Sequence, residues 1–270
     1  MSYRFAVIGV GNMAKAIIAG IQSSDICIDE FALFDKNEEQ YSDLAVGSRP
    51  YVRCQSIEQA VAAADCVLLS VKPQNYPEVL AQISKVPNCA EKLYVTIAAG
   101  ITADCVSDAL CGAPVVRVLP NLPMTVGMGV SVICKNPAVS ASNFELVCEI
   151  FASAGSNLII DEQEMNRIIG VTSSSPAYVF KFIDSIYKGA LAQGLDTEGL
   201  LDAICDVFIG SAMLLKSSRQ APEQLIARVA SKGGTTEQAL KVLEMCDIDK
   251  TVCDAMIACT NRADELGTQK

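Results

Sequence analysis

The first 160 residues alternate short apolar runs with stretches in which apolar and polar positions recur at helical spacing. The apolar runs are nearly continuous and rich in β-branched residues, which is typical of strands buried on both faces of a parallel sheet. Strands are expected at residues 3–9, 30–35, 66–72, 92–99 and 114–120, with two further strand-like runs at 129–135 and 156–161.

The stretches between these runs predict helices that cover the sheet. Because strands and helices alternate along the chain, the pattern predicts an α/β domain with a doubly wound parallel sheet. We assign residues 1–161 to this domain. The expected helices lie at residues 12–22, 56–64, 75–84, 102–110 and 140–154.

The pattern changes after residue 161. Strand signals disappear, and long helical stretches follow at 175–194, 197–216 and 247–266. The stretch 197–216 is apolar nearly all round, so it needs cover on every side, and a small helical domain supplies that cover poorly. We therefore predict an all-α dimerisation domain over residues 162–270, and a homodimer or a larger homo-oligomer.

The composition excludes several functions. The 270 residues carry a formal net charge of -10 and are 51% hydrophobic, so a large core is available and nucleic acid is a poor partner. No apolar run reaches the length of a membrane span, so no span is expected. Histidine is absent from the sequence, which excludes a His-based triad and His-ligated zinc, and no other ligand cluster predicts a metal.

The chain has twelve cysteines, but no two of them are spaced as C-x-x-C. Many lie inside apolar runs, as Cys66 does in DCVLLSV and Cys205 does in LLDAICDVFI. Free cysteine is among the most buried residue types. The start MSYRFAVIGVG lacks the layout of a signal peptide. We therefore expect the cysteines to fill the core of a cytoplasmic protein.

A glycine motif joins the first expected strand to the first helix. In VIGVGNMA, the residues Gly9, Gly11 and Ala14 form G-x-G-x-x-A. The first glycine allows a tight turn, the second lets the backbone approach a pyrophosphate, and the small third residue lets helix and strand pack closely. This context indicates a Rossmann-type domain that binds NAD or NADP.

The end of the second strand bears on which dinucleotide binds. Asp35 stands where a carboxylate accepts hydrogen bonds from an unphosphorylated ribose, which favours NADH. Lys36 and Asn37 follow directly and are suited to a 2′-phosphate, which favours NADPH. The sequence leaves both cofactors open.

Six motifs follow one another along the chain: VIGVGNMA, SVKPQ, TIAAG, RVLPNLP, SSSPAYVF and KGGTTEQAL. In this order the chain resembles pyrroline-5-carboxylate reductases over nearly its full length, and the last three motifs are the specific ones. The resemblance implies a Rossmann domain followed by a helical domain that intertwines with a second subunit. It also implies reduction of the cyclic imine 1-pyrroline-5-carboxylate to L-proline by NADPH or NADH, the last step of proline biosynthesis.

The resemblance also implies roles for individual residues. Segments after the strands would border the cofactor, and a loop of the helical domain would bind the substrate across a subunit boundary. Thr236 would be the catalytic residue, hydrogen-bonded to the imine nitrogen. The expected cofactor-binding residues are Ile8, Gly9, Val10, Gly11, Asn12, Met13, Asp35, Val71, Lys72, Pro73, Ala98, Ala99, Pro120 and Asn121, and the expected substrate-binding residues are Ser231, Gly233, Gly234, Thr235 and Thr236.

The start of the predicted helix in VASKGGTTEQALKVLE suits this substrate role. Free backbone N–H groups and the helix dipole favour an anion such as a carboxylate, and glycines allow close approach. A protonated imine is already a good hydride acceptor, so positioning does most of the work and no histidine is needed. The local sequence alone favours a simple helix cap by Thr235 or Thr236, whereas the resemblance favours the substrate role.

Three departures from the family pattern bear on the substrate. Before the long helix the chain has Ser173 and Ser175 where the family usually has glycines. A serine is strained there if the backbone needs a positive φ. Lys232 stands in place of a proline, and Leu122 and Met124 stand in place of threonine and alanine.

Alternatives to this function remain open. One is a diverged reductase of another cyclic imine or of a small oxo acid. A 3-hydroxyacid dehydrogenase would need a catalytic lysine helix, but we interpret Lys181, the only lysine early in the long helix, as a surface residue. The last alternative is a dinucleotide-binding protein without turnover, which only the serines of SSSPAY support.

Overall fold

The computed structural model describes residues 3–44 and 47–268. The chain divides into two compact units, which we call the sheet unit and the helical unit. The sheet unit comprises Met1–Ser174 and Ile257–Lys270, and the helical unit comprises Ser175–Met256. Residues 162–174, which we assigned to the second domain, therefore pack with the sheet.

The described residues contain eight strands, all in one sheet. They are, in chain order, β1 (Tyr3–Ile8), β2 (Ile28–Phe34), β3 (Tyr51–Arg53), β4 (Cys66–Leu69), β5 (Leu93–Thr96), β6 (Val115–Leu119), β7 (Gly129–Lys135) and β8 (Gly155–Ile159). The spatial order is β3-β2-β1-β4-β5-β6-β7-β8. Neighbours are parallel except β6 and β7, which pair antiparallel. The predicted doubly wound parallel sheet is thus confirmed for β1–β6.

Helices cover the sheet and build the helical unit. They are α1 (Asn12–Gln22), α2 (Ile57–Ala62), α3 (Tyr76–Ile83), α4 (Ala103–Ala109), α5 (Ala141–Ala152), α6 (Met165–Thr172), α7 (Ser175–Ala192), α8 (Leu200–Ser218), α9 (Pro222–Val229), α10 (Thr235–Met245) and α11 (Ile248–Thr268). The side chains of Ser56, Thr102 and Ser140 cap α2, α4 and α5. Within the described ranges, no helix has both the length and the apolar character needed to cross a bilayer.

The core of the sheet unit lies on both faces of the sheet, because side chains along a strand alternate between faces. In β1, Phe5 and Val7 belong to the cluster beneath α1 and α5, whereas Ala6 and Ile8 belong to the cluster beneath α2, α3 and α4. A third, smaller cluster includes Met165 of α6, together with residues of β6 and β7. This two-sided cover explains the nearly continuous apolar runs in the sequence.

The helical unit has almost no buried core of its own. Ile204, at 8% exposure, is the one buried residue among the described residues of this unit. Large apolar side chains remain exposed on α7 and α8, among them Phe180, Phe182, Val207 and Met213. Many exposed large apolar side chains on two neighbouring helices are typical of a protein–protein interface.

The cysteines follow the prediction only in part. None of the twelve forms a disulfide. The prediction that they fill the core is wrong for five of them, because an apolar neighbourhood in sequence does not fix the direction of a side chain. The buried cysteines are Cys54, Cys66, Cys89 and Cys134, and the exposed ones are Cys27, Cys105, Cys111, Cys246 and Cys253.

Candidate functional site

The turn between β1 and α1 has the conformation that a phosphate-binding loop requires. Gly9 has a φ of +93°, and a Cβ there would lie 2.8 Å from the carbonyl oxygen of Ser70. Ala14 is fully buried in the cluster beneath α1. Gly11 is the N-cap of α1 without a side-chain cap, and a Cβ there would meet no atom within 4 Å. The start of α1 is therefore open to an anion.

A cavity of about 440 Å³ lies beside this turn. It is found where the strand order reverses, since β1 pairs with β2 on one side and with β4 on the other. Ligands of open α/β sheets bind beyond the strand ends at such a point. The predicted residues that line the cavity are Ile8, Gly9, Gly11, Asp35, Lys36, Asn37, Val71 and Lys72.

Further residues that line this cavity were missed by sequence reasoning. Gln74 and Asn75 directly follow the SVKP segment, so their position could have been extended from that motif. Gln40 and Ile57 come from other segments, and no local pattern marks them. The cavity is thus assembled mainly from the segments that follow β1, β2 and β4.

Asp35 uses its carboxylate to hold the backbone of the site. Its Oδ2 accepts a hydrogen bond from the N–H of Val10 at 2.6 Å, and its Oδ1 accepts one from the N–H of Asn37 at 2.9 Å. The N–H of Asp35 in turn donates to the hydroxyl of Tyr41 at 2.7 Å. Asp35 therefore joins the glycine turn to the end of β2, and both of its oxygens already have a protein donor.

The remaining predicted cofactor residues lie next to the strand ends but outside the lining of this cavity. Met13 packs against the core and Asn12 is exposed at the start of α1. Ala98 and Ala99 follow β5 and pack into two different apolar clusters. Pro73 begins the short helical turn that precedes α3. Pro120 follows β6 at the same edge of the sheet, because β5 and β6 are parallel.

Asn121 is buried after β6, and its side chain is committed to the protein. Its Oδ1 accepts from the N–H of Val130 at 2.9 Å, and its Nδ2 donates to the carbonyl of Thr172 at 3.0 Å. It thereby joins the ends of β6 and α6 to the start of β7. In the turn that follows, Leu122 is exposed whereas Met124 is buried, so the two departures from the family pattern have different surroundings.

An ion pair of the buried Arg117, the first residue of RVLPNLP, with the partly exposed Glu162 was missed from the sequence. Arg117 is 1% exposed, and its guanidinium donates to Glu162 at 2.7 Å and to Asn166 at 2.8 Å. The thiol of Cys134 donates to the other oxygen of Glu162 at 2.8 Å. Burial, and then this carboxylate, raises the pKa of the Cys134 thiol far above its usual range. A charged residue inside an apolar strand was the available signal.

Tyr76 forms a second buried polar link at the carboxyl ends of the strands. Its hydroxyl lies 2.7 Å from the hydroxyl of Thr96 and donates to the carbonyl of Leu69 at 3.0 Å. Burial raises the pKa of Tyr76, so the phenol stays neutral. The bonds tie the start of α3 to the ends of β4 and β5.

In the helical unit, the loop of Ser231–Gly234 leads into α10. Gly234 is the N-cap and has no side-chain cap, so the interpretation that Thr235 or Thr236 simply caps the helix is wrong. Gly233 has a φ of +75°, which favours glycine. Thr235 is exposed and Thr236 is half-buried in the first turn. The N–H of Gly234 donates to the carbonyl of Ser231 at 2.9 Å, so the N–H groups that helix geometry leaves for a ligand begin at Thr235.

Glu237 closes this loop, and sequence reasoning did not single it out. Its Oε2 accepts a hydrogen bond from the N–H of Gly233 at 2.6 Å, and its Oε1 lies 3.4 Å from the ammonium of Lys241. A glutamate three residues after the N-cap ordinarily bonds back to the entering backbone. The signal was therefore present in the KGGTTEQAL motif.

The serines before the long helix do not strain the backbone. Ser173 has a φ of -81°. Ser175 is not among the described non-glycine residues with a positive φ, so the expected strain is absent at both positions. The added hydroxyl of Ser173 is buried and has no hydrogen-bond partner among the described residues. Lys181 is exposed and pairs with Asp184 at 3.3 Å, which confirms its interpretation as a surface residue.

Two known families match the chain, one in each half. A family described as pyrroline-5-carboxylate reductase dimerisation matches residues 162–266. A family described as NADP oxidoreductase, coenzyme F420-dependent, matches residues 4–100. The two matches coincide with the helical region and with the cavity-bearing part of the sheet.

The similarity to individual proteins extends over the whole chain. The pyrroline-5-carboxylate reductase of Corynebacterium melassecola is 32% identical over 265 residues, which cover 97% of this chain and 98% of that one. The solved structure of 1-pyrroline-5-carboxylate reductase from Streptococcus pyogenes has a TM-score of 0.87 at 27% identity, with 98% and 99% covered. The Plasmodium falciparum pyrroline carboxylate reductase, solved with NADP bound, has a TM-score of 0.84 at 25% identity, with 98% of each chain covered. By these similarities and by the motifs at its site, the chain belongs to the pyrroline-5-carboxylate reductase family.

Proposed function

We propose that this protein reduces 1-pyrroline-5-carboxylate to L-proline with NADPH or NADH, the last step of proline biosynthesis. The observation that carries the proposal is that one chain, similar to such reductases from end to end, has both an open glycine turn and an uncapped GGTT helix start. The first feature suits a dinucleotide, and the second suits the carboxylate of the substrate. No step needs a histidine.

The residues of the sheet unit fit a dinucleotide. The space beside Gly11 and the start of α1 admit a pyrophosphate, and the cavity beside Asp35 has room for the adenosine end. When bound, the reduced nicotinamide supplies the hydride that the imine carbon accepts. The segments Val71–Pro73, Ala98–Ala99 and Pro120–Asn121 border the path towards the nicotinamide.

The helical unit positions the substrate. The N–H groups of Gly233 and Gly234 already donate to Glu237 and Ser231, so the carboxylate is received by the backbone N–H groups of Thr235 and Thr236 in the first turn of α10, with Ser231, Gly233 and Gly234 beside it. The hydroxyl of Thr236 hydrogen-bonds the imine nitrogen. Both contacts orient a protonated imine that already accepts hydride readily, so orientation supplies most of the rate.

The assembly is a homo-oligomer, which the matched dimerisation family and the exposed apolar surface of α7 and α8 support. We propose a homodimer as the smallest active form. For function we keep the proposed division into a dinucleotide-binding domain of residues 1–161 and a dimerisation and substrate domain of residues 162–270, which the range of that family match supports although the compact units divide at Ser174 and Ile257. Cysteines without disulfides suit a reducing compartment, and we propose the cytoplasm.

A substrate panel tests the proposal against its alternatives. The purified protein is given pyrroline-5-carboxylate, a six-membered cyclic imino acid and a small 2-oxo acid, each with both reduced cofactors, and the products are identified by mass spectrometry. We expect proline, with the highest kcat/KM for pyrroline-5-carboxylate. A higher kcat/KM for another substrate would establish a diverged reductase, and cofactor binding without any turnover would establish a non-catalytic protein.

A further inference from the structure

The choice between NADPH and NADH is left open by the sequence, and the structure bears on it at the end of β2. The carboxylate of Asp35 accepts hydrogen bonds from two backbone N–H groups, those of Val10 and Asn37. Asp35 therefore acts first as a support for the glycine turn. Discrimination between the two cofactors then depends on the charged groups that surround the adenosine end of the cavity.

Two lysines line this cavity. Lys36 comes from the end of β2 and Lys72 from the end of β4. The ammonium of Lys36 lies 3.0 Å from Oε1 and 3.2 Å from Oε2 of Glu78, which is in the first turn of α3. The amide of Gln82, one turn later, donates to the same carboxylate at 3.3 Å. Glu78 thus holds Lys36 from outside the cavity lining.

We propose that Glu78 is a specificity-determining residue that competes with the 2′-phosphate of NADPH for the ammonium of Lys36. The inference rests on the proposed function only in that the cavity holds the adenosine end of a dinucleotide. A 2′-phosphate offers more charge than the carboxylate does, so it draws Lys36 away from Glu78. The 2′-hydroxyl of NADH carries no charge, so the Lys36–Glu78 pair stays closed.

Which cofactor is preferred depends on how strongly Lys36 binds the 2′-phosphate compared with the carboxylate of Glu78. Both side chains of the pair are largely in solvent, at 65% and 58% exposure, and such pairs contribute little. A hydrogen bond between an ammonium and a phosphate is the stronger interaction. The protein should therefore prefer NADPH, with Glu78 reducing the size of the preference. The acid thereby narrows the difference in affinity between the two donors by weakening the binding of NADPH alone.

Binding of the oxidised cofactors tests the proposal without any substrate. The full-length protein and its variants are titrated with NADP⁺ and NAD⁺ in a calorimeter. Glu78→Gln should tighten NADP⁺ binding by about three- to fivefold and change NAD⁺ binding by less than about twofold. Lys36→Met should weaken NADP⁺ binding by about tenfold or more and leave NAD⁺ nearly unchanged.

A charge-matched control separates this effect from the net charge of the protein. Glu91 is exposed just before the start of β5, whereas the cavity lies at the carboxyl ends of the parallel strands. Glu91→Gln therefore removes the same charge at the opposite end of the strands. We expect it to alter NADP⁺ binding by less than about twofold, because the charge is distant and screened. Equal tightening of NADP⁺ in Glu78→Gln and Glu91→Gln would overturn the proposal.

A double variant tests whether Glu78 acts through Lys36. Once Lys36→Met has removed the ammonium, adding Glu78→Gln should change NADP⁺ binding by less than about twofold. An undiminished effect in that background would contradict the competition. Failure of the reductase assay would leave these binding results intact, so the cofactor inference and the proposed reaction can fail separately.

Discussion

Thr236 is the residue on which the proposed chemistry depends most directly. It lies half-buried in the first turn of α10 and does not cap the helix, so its hydroxyl is available to the imine nitrogen. Thr236→Val keeps the shape but removes the hydroxyl, and we expect kcat to fall by about 100-fold with cofactor affinity nearly unchanged. Steady-state kinetics and cofactor titration measure the two quantities.

The matched control for this prediction is Thr236→Ser, which keeps the hydroxyl and should retain most of the activity. If Thr236→Val turned over as fast as the unaltered protein, the hydroxyl would have no part in the mechanism. If both variants lost activity equally, the methyl group rather than the hydroxyl would be the important part.

Glu162 is a second single residue with a predicted effect, in this case on the stability of the fold. It is the partner of the buried Arg117, whose Nε has no hydrogen-bond partner among the described residues. Glu162→Ala leaves that guanidinium buried without its counter-charge, so the free energy of unfolding should fall by about 3 kcal/mol. Glu164→Ala, an exposed acid in the same turn, should cost less than about 0.5 kcal/mol. Equal losses in urea denaturation would contradict the account.

Residue-scale features were predictable where a motif fixes the backbone. Gly9 and Gly11 follow from the turn that a strand–helix junction requires. The hydrogen bonds of Asp35 did not follow, because they depend on how the glycine turn approaches the end of β2. Glu237 could have been recognised from its spacing after Gly234, since a capping glutamate needs only local geometry.

At the scale of elements, the pairing of β7 with β8 depends on two glycines. Gly129 and Gly155 face each other in the register, and a Cβ on Gly155 would collide with the carbonyl oxygen of Gly129. Gly155 also has a positive φ of +153°. Gly155→Ala should lower the free energy of unfolding by about 3 kcal/mol, because strands or backbone must shift. The neighbouring Ser156→Ala, at an exposed position, serves as the control in thermal denaturation, and a similar shift in both would contradict the collision.

Most elements were predictable because their apolar runs or helical faces are long enough to repeat. The bounds moved by a few residues at each end, as at α8, which was expected at 197–216 and occupies Leu200–Ser218. β3 was missed, since it has three residues, all exposed, at the edge of the sheet. No periodicity can arise in so short a segment, and its pairing with β2 is a tertiary effect.

At the scale of the whole molecule, the helical unit requires a partner. Val207 on α8 is 64% exposed, although the helix around it is strongly apolar. Val207→Glu places a charge on this surface, so self-association should weaken by about tenfold or more. Val207→Leu keeps the surface apolar and should leave the assembly unchanged. Light scattering across a dilution series measures both, and an unaltered mass for Val207→Glu would exclude this face from the interface.

The requirement for a partner subunit was predictable from the sequence, because the stretch 197–216 is apolar nearly all round. The family assignment was likewise accessible from the ordered motifs, because they extend over both halves of the chain. The hydrogen-bond partners of Arg117, Tyr76 and Asn121 could not be predicted, since each of these bonds joins elements that are distant in sequence. They are properties of the assembled sheet and not of any one motif.

The most direct test of the account is the loss of reduced nicotinamide absorbance when the purified protein meets pyrroline-5-carboxylate. NADPH and NADH are run side by side, and proline is quantified in the same samples. We expect rapid oxidation with one proline formed for each cofactor consumed, and a higher kcat/KM with NADPH. Cofactor that binds but is not oxidised in the presence of this substrate would contradict the assignment of a reductase.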